Sequence, residues 1–284
     1  MALRIEKAGE VGFCFGVKRA VDILERVACE RGGVETLGAV VHNQQVLQRL
    51  AEIGVRVAKG VDDIQGDTVV ISAHGVNPQL EDEVRTRHIK IIDTTCPFVR
   101  RAQVAARRLA ESGFFVVIYG DINHPEVKGV LGWAKNRGVA TVDEKFVAKF
   151  DYLPRRLGIL SQTTQIPARF TQFVKKLIDS ALAKDSELRI IDTICHDTRK
   201  RQAAAVTLAN KVDLMLVIGS HTSANTNHIV ELCSMATKTY PIESAEAIQP
   251  PWFQGQHYIG VTTGASTAME TINEVLMKLE ALSY

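Results

Sequence analysis

The sequence predicts an α/β protein made of three similar lobes with parallel sheets. Two observations lead to this class. Short apolar runs that end in small or polar residues alternate with longer amphipathic runs along the 284 residues, as in βαβ units. In addition, three segments that begin at Cys14, Cys96 and Cys195 align with one another, which indicates an internal repeat.

The apolar runs are the candidate strands. They include "TVVISAHG", "FFVVIYG", "LGILSQTT", "LMLVIGS" and "YIGVTTGAS". Continuous apolar runs of this length are typical of strands buried on both faces, and they are too short to cross a membrane. Runs such as "PQLEDEVRTR" and "FTQFVKKLIDSAL" predict the helices between them. We interpret the densest basic run, "VRRAQVAARR" at 99–108, as the solvated face of a helix.

The repeat extends beyond the cysteines. Twenty-four residues after each cysteine stands a glycine, namely Gly38, Gly120 and Gly219. Four residues later come His42, His124 and Ser223. Each third of the chain then has a strand with a polar tip, namely "SAHG" (72–75), "SQTT" (161–164) and "TTGAS" (262–266). We therefore expect lobes at 1–92, 93–190 and 191–284, and the C-terminal helix could pack back on the first lobe.

Composition narrows the class of protein. Apolar residues make up 46% of the chain, charged residues 23%, and the net charge is +2. This is typical of a soluble globular protein and gives no strong argument for nucleic acid or a membrane surface. Five cysteines and no targeting segment predict a cytoplasmic protein without a disulfide framework. Cys29 and Cys233 have no equivalent in the repeat, so we expect small buried apolar side chains there.

The polar tips predict a site, because ligands gather at the carboxyl ends of parallel strands. Three cysteines, one from each lobe, suit either a zinc ion with an open fourth position or a four-iron four-sulfur cluster with one open iron. Hydroxyls, histidines and an amide near the tips suit a small phosphorylated anion, and Glu126 is the one carboxylate nearby. These polar candidates are His42, His74, His124, Thr163, Ser223, Asn225 and Ser266.

Ten motifs, in order, give a resemblance to a known family. They are "GFCFGVKRAV", "VHN", "SAHG", "DTTCPFV", "NHPEVKG", "SQTT", "DTIC", "RKRQ", "SANTN" and "TTGAST". From about residue 4 to the C-terminus, the chain resembles the 4-hydroxy-3-methylbut-2-enyl diphosphate reductases. The resemblance implies a trefoil of three lobes around a [4Fe-4S] cluster with one open iron. It also implies reductive removal of an allylic hydroxyl to give isopentenyl and dimethylallyl diphosphate, the last step of the methylerythritol phosphate pathway.

The resemblance implies a role for each matching residue. Cys14, Cys96 and Cys195 would bind the cluster, and Glu126 would supply protons. His124 and Thr163 would act at the hydroxyl end of the substrate. The substrate contacts would be His42, His74, His124, Thr163, Ser223, Asn225 and Ser266. Because no flavin or nicotinamide motif is visible, electrons would come from a ferredoxin or flavodoxin.

The chain departs from the family pattern at a few positions. Ala224 replaces a common serine, Ala268 stands where proline is usual, and His196 and Asp197 follow the third cysteine. These departures leave the fine geometry around the diphosphate open. Two other functions also remain open on the residues alone. One is a zinc hydrolase or lyase that acts on a phosphorylated substrate. The other is an iron–sulfur sensor, which would not need Glu126 or Thr163.

Overall fold

The computed structural model describes residues 3–41, 43–135, 137–143, 146, 154–182 and 186–282; His42 lies outside them. The strands are β1 (Arg4–Lys7), β2 (Val34–Leu37), β3 (Val55–Ala58), β4 (Thr68–Ile71), β5 (Lys90–Asp93), β6 (Phe115–Tyr119), β7 (Gly138–Thr141), β8 (Arg156–Ser161), β9 (Glu187–Ile190), β10 (Leu214–Ile218), β11 (Lys238–Ile242) and β12 (Tyr258–Thr263). The α-helices are α1 (Phe15–Arg31), α2 (Gln44–Glu52), α3 (Pro78–Thr86), α4 (Pro97–Glu111), α5 (Pro125–Trp133), α6 (Pro167–Leu182), α7 (His196–Ala209), α8 (Ala224–Ser234) and α9 (Met269–Ala281).

The strands form three parallel sheets of four strands each. The first sheet has the order β3-β2-β4-β5, the second β7-β6-β8-β9 and the third β11-β10-β12-β1. Every pairing among the described strands is parallel. The three orders are the same if β1 stands for the fourth strand of the third repeat. The predicted fold class, three α/β lobes with parallel sheets, is confirmed.

Strand β1 completes the third sheet although it begins the chain. Its Ile5 lies opposite Ile259 of β12 in the parallel register. β1 lies within the predicted lobe at 1–92, whereas its partner strand β12 lies within the predicted lobe at 191–284. In the repeat, β1, β5 and β9 are equivalent, and each one is the strand that precedes a repeat cysteine. The boundaries at 92 and 190 stay predictions.

Contacts divide the chain into two compact units. The terminal unit consists of Met1–Lys18, Val41–Leu50 and His196–Tyr284, and the central unit consists of Arg19–Val40 and Ala51–Cys195. The third sheet belongs to the terminal unit, and the first and second sheets belong to the central unit. Within the terminal unit, the first turn of α9 contacts α2. There the Thr271 hydroxyl donates to Gln45 Oε1 at 2.6 Å.

Apolar side chains from helices bury both faces of the second and third sheets, as the long apolar runs predicted. In the central unit, α4 and α5 cover one face of the second sheet and α6 covers the other. In the terminal unit, α9 packs on one face of the third sheet, and α7 and α8 pack on the opposite face. These layers hold the strand ends, and with them the polar tips, in place.

The basic run at 99–108 lies in α4, as predicted. Val99, Ala102, Ala106 and Leu109 form the buried stripe of this helix, and most of its arginines lie outside that stripe. In the part of the chain that the structure describes, no helix is both long and apolar enough to span a membrane.

The two cysteines outside the repeat differ from each other. Cys233 is fully buried against the third sheet, as predicted, and burial raises the pKa of its thiol to about 12. The prediction for Cys29 was wrong, because this side chain is exposed. It follows Ala28, the last buried residue of the stripe on α1, and therefore turns towards solvent.

Candidate functional site

Each repeat cysteine lies directly before a helix and is fixed by the neighbouring strand tip. In every case the backbone N–H of the cysteine donates to a carbonyl in a predicted polar tip. The three bonds run from Cys14 to Ala265 (3.0 Å), from Cys96 to Ala73 (3.0 Å) and from Cys195 to Thr163 (2.9 Å). All three cysteines are partly buried and none forms a disulfide. The sequence repeat therefore corresponds to one local structure that occurs three times.

The tripeptides "DTT" and "DTI", which precede Cys96 and Cys195, have the same structural role. The Asp93 carboxylate accepts the Thr95 N–H at 2.9 Å, and the Asp192 carboxylate accepts the Ile194 N–H at 3.0 Å. Such Asx turns shape the loop between the strand and the cysteine. They present Cys96 and Cys195 in the same way at the start of α4 and α7.

Glu126 is a buried carboxylate whose two oxygens are both held by Thr163. Its side chain is 2% exposed although it lies in the first turn of α5. Oε1 accepts the Thr163 N–H at 2.7 Å, and Oε2 accepts the Thr163 hydroxyl at 2.7 Å. Burial raises the pKa of Glu126, and the two hydrogen bonds from Thr163 offset part of that rise. A carboxyl group with a raised pKa next to a hydroxyl can store and pass on a proton.

The two described histidines of the predicted site contact each other. The rings of His74 and His124 pack edge to face with their centroids 5.5 Å apart. His124 is also the N-cap of α5, since its Nδ1 accepts the Glu126 N–H at 3.2 Å. The bond made by Nδ1 leaves the ring Nε2 as the atom that can carry a proton. His124 therefore fixes both the start of α5 and the position of the buried acid.

A continuous series of contacts in the central unit joins two repeat cysteines to the acid. The Cys96 N–H donates a hydrogen bond to the carbonyl of Ala73, the residue before His74. The ring of His74 packs on that of His124. The series continues through Glu126 to Thr163, whose carbonyl accepts the Cys195 N–H. The structure thus brings together the predicted residues of the central unit, namely Cys96, His74, His124, Glu126, Thr163 and Cys195.

In the terminal unit, Cys14 has a cationic neighbour that sequence reasoning missed. Burial raises the pKa of the Cys14 thiol, while the Val17 N–H and the Arg201 charge act in the opposite direction. The Val17 N–H donates to the Cys14 sulfur at 3.5 Å. Arg201 is 3% exposed and donates to the Thr263 hydroxyl at 3.0 Å and to the Glu10 carbonyl at 3.2 Å. It therefore ties the loop before Cys14 to the tip of β12.

The motif "RKRQ" was the only signal for Arg201, and it does not distinguish this arginine from its exposed neighbour Lys200. Nothing in the helical spacing of α7 indicates which basic side chain points inward. Asp197, one of the departures from the family pattern, also contributes here. Its carboxylate accepts the Phe15 N–H at 3.1 Å and so caps the first turn of α1, immediately after Cys14.

The first turn of α8 has the properties of an anion site. Ser223 is its N-cap, and the hydroxyl accepts the Thr226 N–H at 3.4 Å. Asn225 is 4% exposed, and neither its Oδ1 nor its Nδ2 has a hydrogen-bond partner among the described residues. A buried amide whose oxygen and nitrogen make no hydrogen bond with the described part of the chain is available to bind a polar ligand. A helix N-terminus beside it favours a negatively charged one.

Two glycines allow the strand tips to approach that turn. A Cβ at Gly219, which has φ +158°, would lie 2.5 Å from Thr226 Oγ1. A Cβ at Gly264 would lie 2.2 Å from the same oxygen. A side chain at either position would therefore clash with Thr226, a fully buried residue of α8. This close approach explains the glycines at positions 219 and 264.

Ser266 is placed by Asn43, the last residue of the motif "VHN". The Asn43 side chain donates to the Ser266 carbonyl at 2.9 Å, and its Oδ1 accepts the Val46 N–H at 3.1 Å. Asn43 therefore begins α2 and holds the tip after β12 at the same time. Its position directly after His42 was the available signal. Ala224 and Ala268 contribute no side-chain hydrogen bond; Ala268 is the N-cap of α9.

Among the described residues, no group of three or more His, Cys, Asp or Glu side chains is close enough to hold a single metal ion. The five cysteines nevertheless differ in burial and in their position relative to the helices. The repeat cysteines are partly buried at helix starts, whereas Cys29 is an exposed residue within a helix and Cys233 is a core residue.

The fold and these surroundings define a three-repeat α/β protein with a cysteine before a helix in every repeat and a buried acid in one. The chain belongs to the LytB protein family, whose model matches residues 5–280. It is 58% identical over 281 residues to a protein of Dehalococcoides mccartyi (strain CBDB1), named 4-hydroxy-3-methylbut-2-enyl diphosphate reductase, and the match covers 99% of each chain. The family predicted from the motifs is confirmed.

Two solved structures are also similar. One is (E)-4-hydroxy-3-methyl-but-2-enyl diphosphate reductase, described as the terminal enzyme of the non-mevalonate pathway. It is 37% identical, has a TM-score of 0.70, and the match covers 99% of this chain and 100% of that one. The other is the E-1-hydroxy-2-methyl-but-2-enyl-4-diphosphate reductase from Plasmodium falciparum. It has a TM-score of 0.92 at 23% identity, with 98% and 88% coverage, and it supports the fold.

Proposed function

We propose that this chain reduces (E)-4-hydroxy-3-methylbut-2-enyl diphosphate to isopentenyl and dimethylallyl diphosphate. The names of its close relatives support this reaction. The single observation in the structure that carries it is the buried Glu126 carboxyl, which is bonded through Thr163 to the segment that presents Cys195. A surface loop or a sensor would have no reason to bury an acid in this place.

The chemistry of the cysteines fits a [4Fe-4S] cluster. Cys14, Cys96 and Cys195 would bind it, since thiolates are the usual ligands of such clusters. When bound, the cluster supplies one-electron transfers and an open, Lewis-acidic iron. Three repeat cysteines with equivalent backbone bonds, and two further cysteines without them, support this choice of ligands.

Glu126 and Thr163 would deliver the proton that the leaving hydroxyl needs. Hydroxide is a poor leaving group, and water is a better one. When Glu126 is protonated on Oε2, that proton points to the Thr163 oxygen 2.7 Å away. The hydroxyl proton of Thr163 can then turn to the substrate. Two electrons and two protons enter in each turnover, the C–O bond breaks, and water leaves. His74 and His124 would orient the same end of the substrate.

The diphosphate would bind at the start of α8. Asn225 would donate its unsatisfied amide to a phosphate oxygen, and Ser223 and Ser266 would add hydroxyl bonds. His42 is part of this proposal on its motif alone. A ferredoxin or flavodoxin would supply the electrons, and the cytoplasmic location stays a prediction.

Anaerobic turnover tests the function directly. Protein purified without oxygen is mixed with the hydroxylated diphosphate and dithionite, and the two products are measured. A brown protein with sulfide-to-iron absorbance that forms both products supports the reductase. A colourless zinc protein that hydrolyses the substrate would establish the zinc enzyme instead. A brown protein that binds no diphosphate would establish the sensor.

A further inference from the structure

A basic groove of about 760 Å³ runs along α4 in the central unit. Glu111 is the one acidic residue among the residues that line it, against four arginines. The arginines are Arg100, Arg101, Arg108 and Arg189. The net charge of the whole chain is only +2, so this concentration of positive charge is local. The function proposed above does not use it.

The arginines differ in how their charges are balanced. Arg100 pairs with Asp93, and Arg189 pairs with Glu187 at 3.3 Å. Arg101 donates to the Asp192 carbonyl at 3.1 Å, and Arg108 has no acidic partner among the described residues. Both Arg101 and Arg108 are exposed. Their charges therefore extend into solvent, where they can attract an acidic surface.

Aromatic rings hold the neighbouring arginines in place. The Arg100 guanidinium lies 5.5 Å from the Trp133 ring centroid, and that of Arg189 lies 4.4 Å from the Phe114 centroid. Such contacts reduce the entropy that these side chains lose when a partner binds. The groove is thus a partly preorganised basic surface.

The groove is formed by α4, which begins directly after Cys96, and by the segment around the end of β9, which leads to Cys195. Pro97 lines it and is bonded directly to Cys96. Ile191 lines it at the end of β9, four residues before Cys195. A protein seated in the groove would therefore lie beside the chain segments that carry two of the three proposed cluster ligands.

We propose that this arginine groove docks the electron donor, a small protein with an acidic surface around a one-electron centre. The inference rests on the proposed function, because that reaction consumes two electrons per substrate molecule and an external donor must supply them. Two docking events would serve each turnover. In each event one carrier is oxidised by one electron, and the two electrons together reduce one substrate molecule, which loses its hydroxyl as water.

The test compares a charge-reversed groove with a matched surface elsewhere. Arg101→Glu with Arg108→Glu changes the groove. Lys175→Glu with Lys176→Glu makes the same change of net charge on α6, which belongs to the same unit. Each protein, with its cluster content measured, is assayed with reduced ferredoxin and separately with dithionite. We expect the groove variant to lose at least about tenfold in kcat/KM for ferredoxin, and the α6 variant to lose less than about twofold.

Salt and a small reductant provide further readouts. With dithionite, the groove variant should turn over like the parent protein, because a small reductant needs no docking surface. The ferredoxin kcat/KM of the parent should fall as salt rises, and that of the groove variant should respond much less. Arg108→Glu alone should show an intermediate loss, and it serves as the test if the double variant folds poorly. Reduced flavodoxin in place of ferredoxin should give the same ranking of variants.

A groove variant that keeps ferredoxin turnover within about twofold of the parent overturns the proposal. So does an equal loss in the α6 variant, because the effect would then depend on net charge alone. Calorimetric binding of oxidised ferredoxin requires no turnover. Weaker binding to the groove variant would support docking even if dithionite turnover disproved the reductase. Equal binding to both proteins would refute docking even if the reductase were established.

Discussion

At the scale of single residues, Glu126 is notable because its carboxyl group is buried and both of its oxygens accept hydrogen bonds from Thr163. Its sequence context, "HPEVKG", resembles a surface loop followed by a helix, and composition alone would leave it in solvent. The structure instead buries it and directs both oxygens to Thr163. Burial of a carboxyl group costs free energy of folding. Buried acids with shifted pKa values are concentrated at functional sites, which favours a functional role for Glu126.

Replacement of Glu126 by glutamine should separate proton delivery from binding. Gln keeps the size of the side chain and can still accept the Thr163 N–H, so we expect an intact fold, cluster and diphosphate affinity. Turnover should fall by at least about 10²-fold, because the amide cannot supply a proton. Glu274→Gln, at an exposed position of α9, is the control. A Glu126→Gln enzyme within about threefold of the parent would contradict the role.

Thr163 should matter through its hydroxyl group rather than its size. Thr163→Val has nearly the same shape but cannot connect Glu126 to the substrate. We expect it to lose about 10²-fold in turnover. Thr163→Ser keeps the hydroxyl and should retain most of the activity. Steady-state kinetics with dithionite distinguish these outcomes, and equal losses in both variants would point to packing instead.

The raised pKa of Glu126 also predicts how stability depends on pH. The folded protein holds this proton more tightly than the unfolded chain, where the ordinary value is 4.5. Its contribution to the free energy of unfolding is therefore full below pH 4.5 and is lost as pH rises towards the folded-state pKa. Glu126→Gln removes this dependence. In urea unfolding, the free energy of unfolding of the variant should increase relative to that of the parent as pH rises from about 4.5. A difference that stays constant with pH would contradict the raised pKa of Glu126.

At the scale of elements, the helix start after each repeat cysteine is the unit that recurs. The cysteine N–H is satisfied by a strand tip, and the cysteine directly precedes the first turn of a helix. At Cys14 the Val17 N–H donates to the sulfur and so offsets part of the rise that burial causes in the pKa of the thiol. The same local structure at three places favours equivalent roles for the three cysteines.

Serine at any repeat cysteine should remove the cluster. A hard alcohol is a poor iron ligand beside bridging sulfides, so Cys14→Ser, Cys96→Ser and Cys195→Ser should lose iron, sulfide and turnover. Cys29→Ser and Cys233→Ser are the matched controls and should keep all three. The buried Cys233→Ser should cost about 1–3 kcal/mol of stability. Full iron and sulfide content in Cys96→Ser, purified without oxygen, would refute the assignment.

At the scale of the whole molecule, much of the fold was predictable because the same arrangement of strands and helices occurs three times. The alignment at Cys14, Cys96 and Cys195 located the helix starts, and the polar tips located their backbone partners. Pairing of β1 with β12 was not predictable, because nothing in a short strand specifies a partner about 250 residues away. The burial of Arg201 was not predicted for a related reason. Its burial depends on Thr263 and Glu10, which are distant in the sequence.

The position of β1 in the third sheet can be tested by a long-range effect. Ile5 is partly buried against the core of that sheet, where α9 also packs. Ile5→Asp places a charge in this core and should lower stability by about 2 kcal/mol. Hydrogen exchange should show the main loss of protection in β12, the paired strand, rather than in β2, which is much nearer in the sequence.

Lys7→Asp is the matched control, since it introduces the same residue into the same strand at an exposed position. It should leave the exchange of β12 nearly unchanged. If Ile5→Asp instead reduced protection mainly in β2, the first strand would belong with the first sheet, and the repeat would not be completed by the N-terminal strand. Loss in β12 alone would mean that the third repeat takes its fourth strand from the start of the chain. Cys14, Cys96 and Cys195 would then each follow the last strand of a complete sheet.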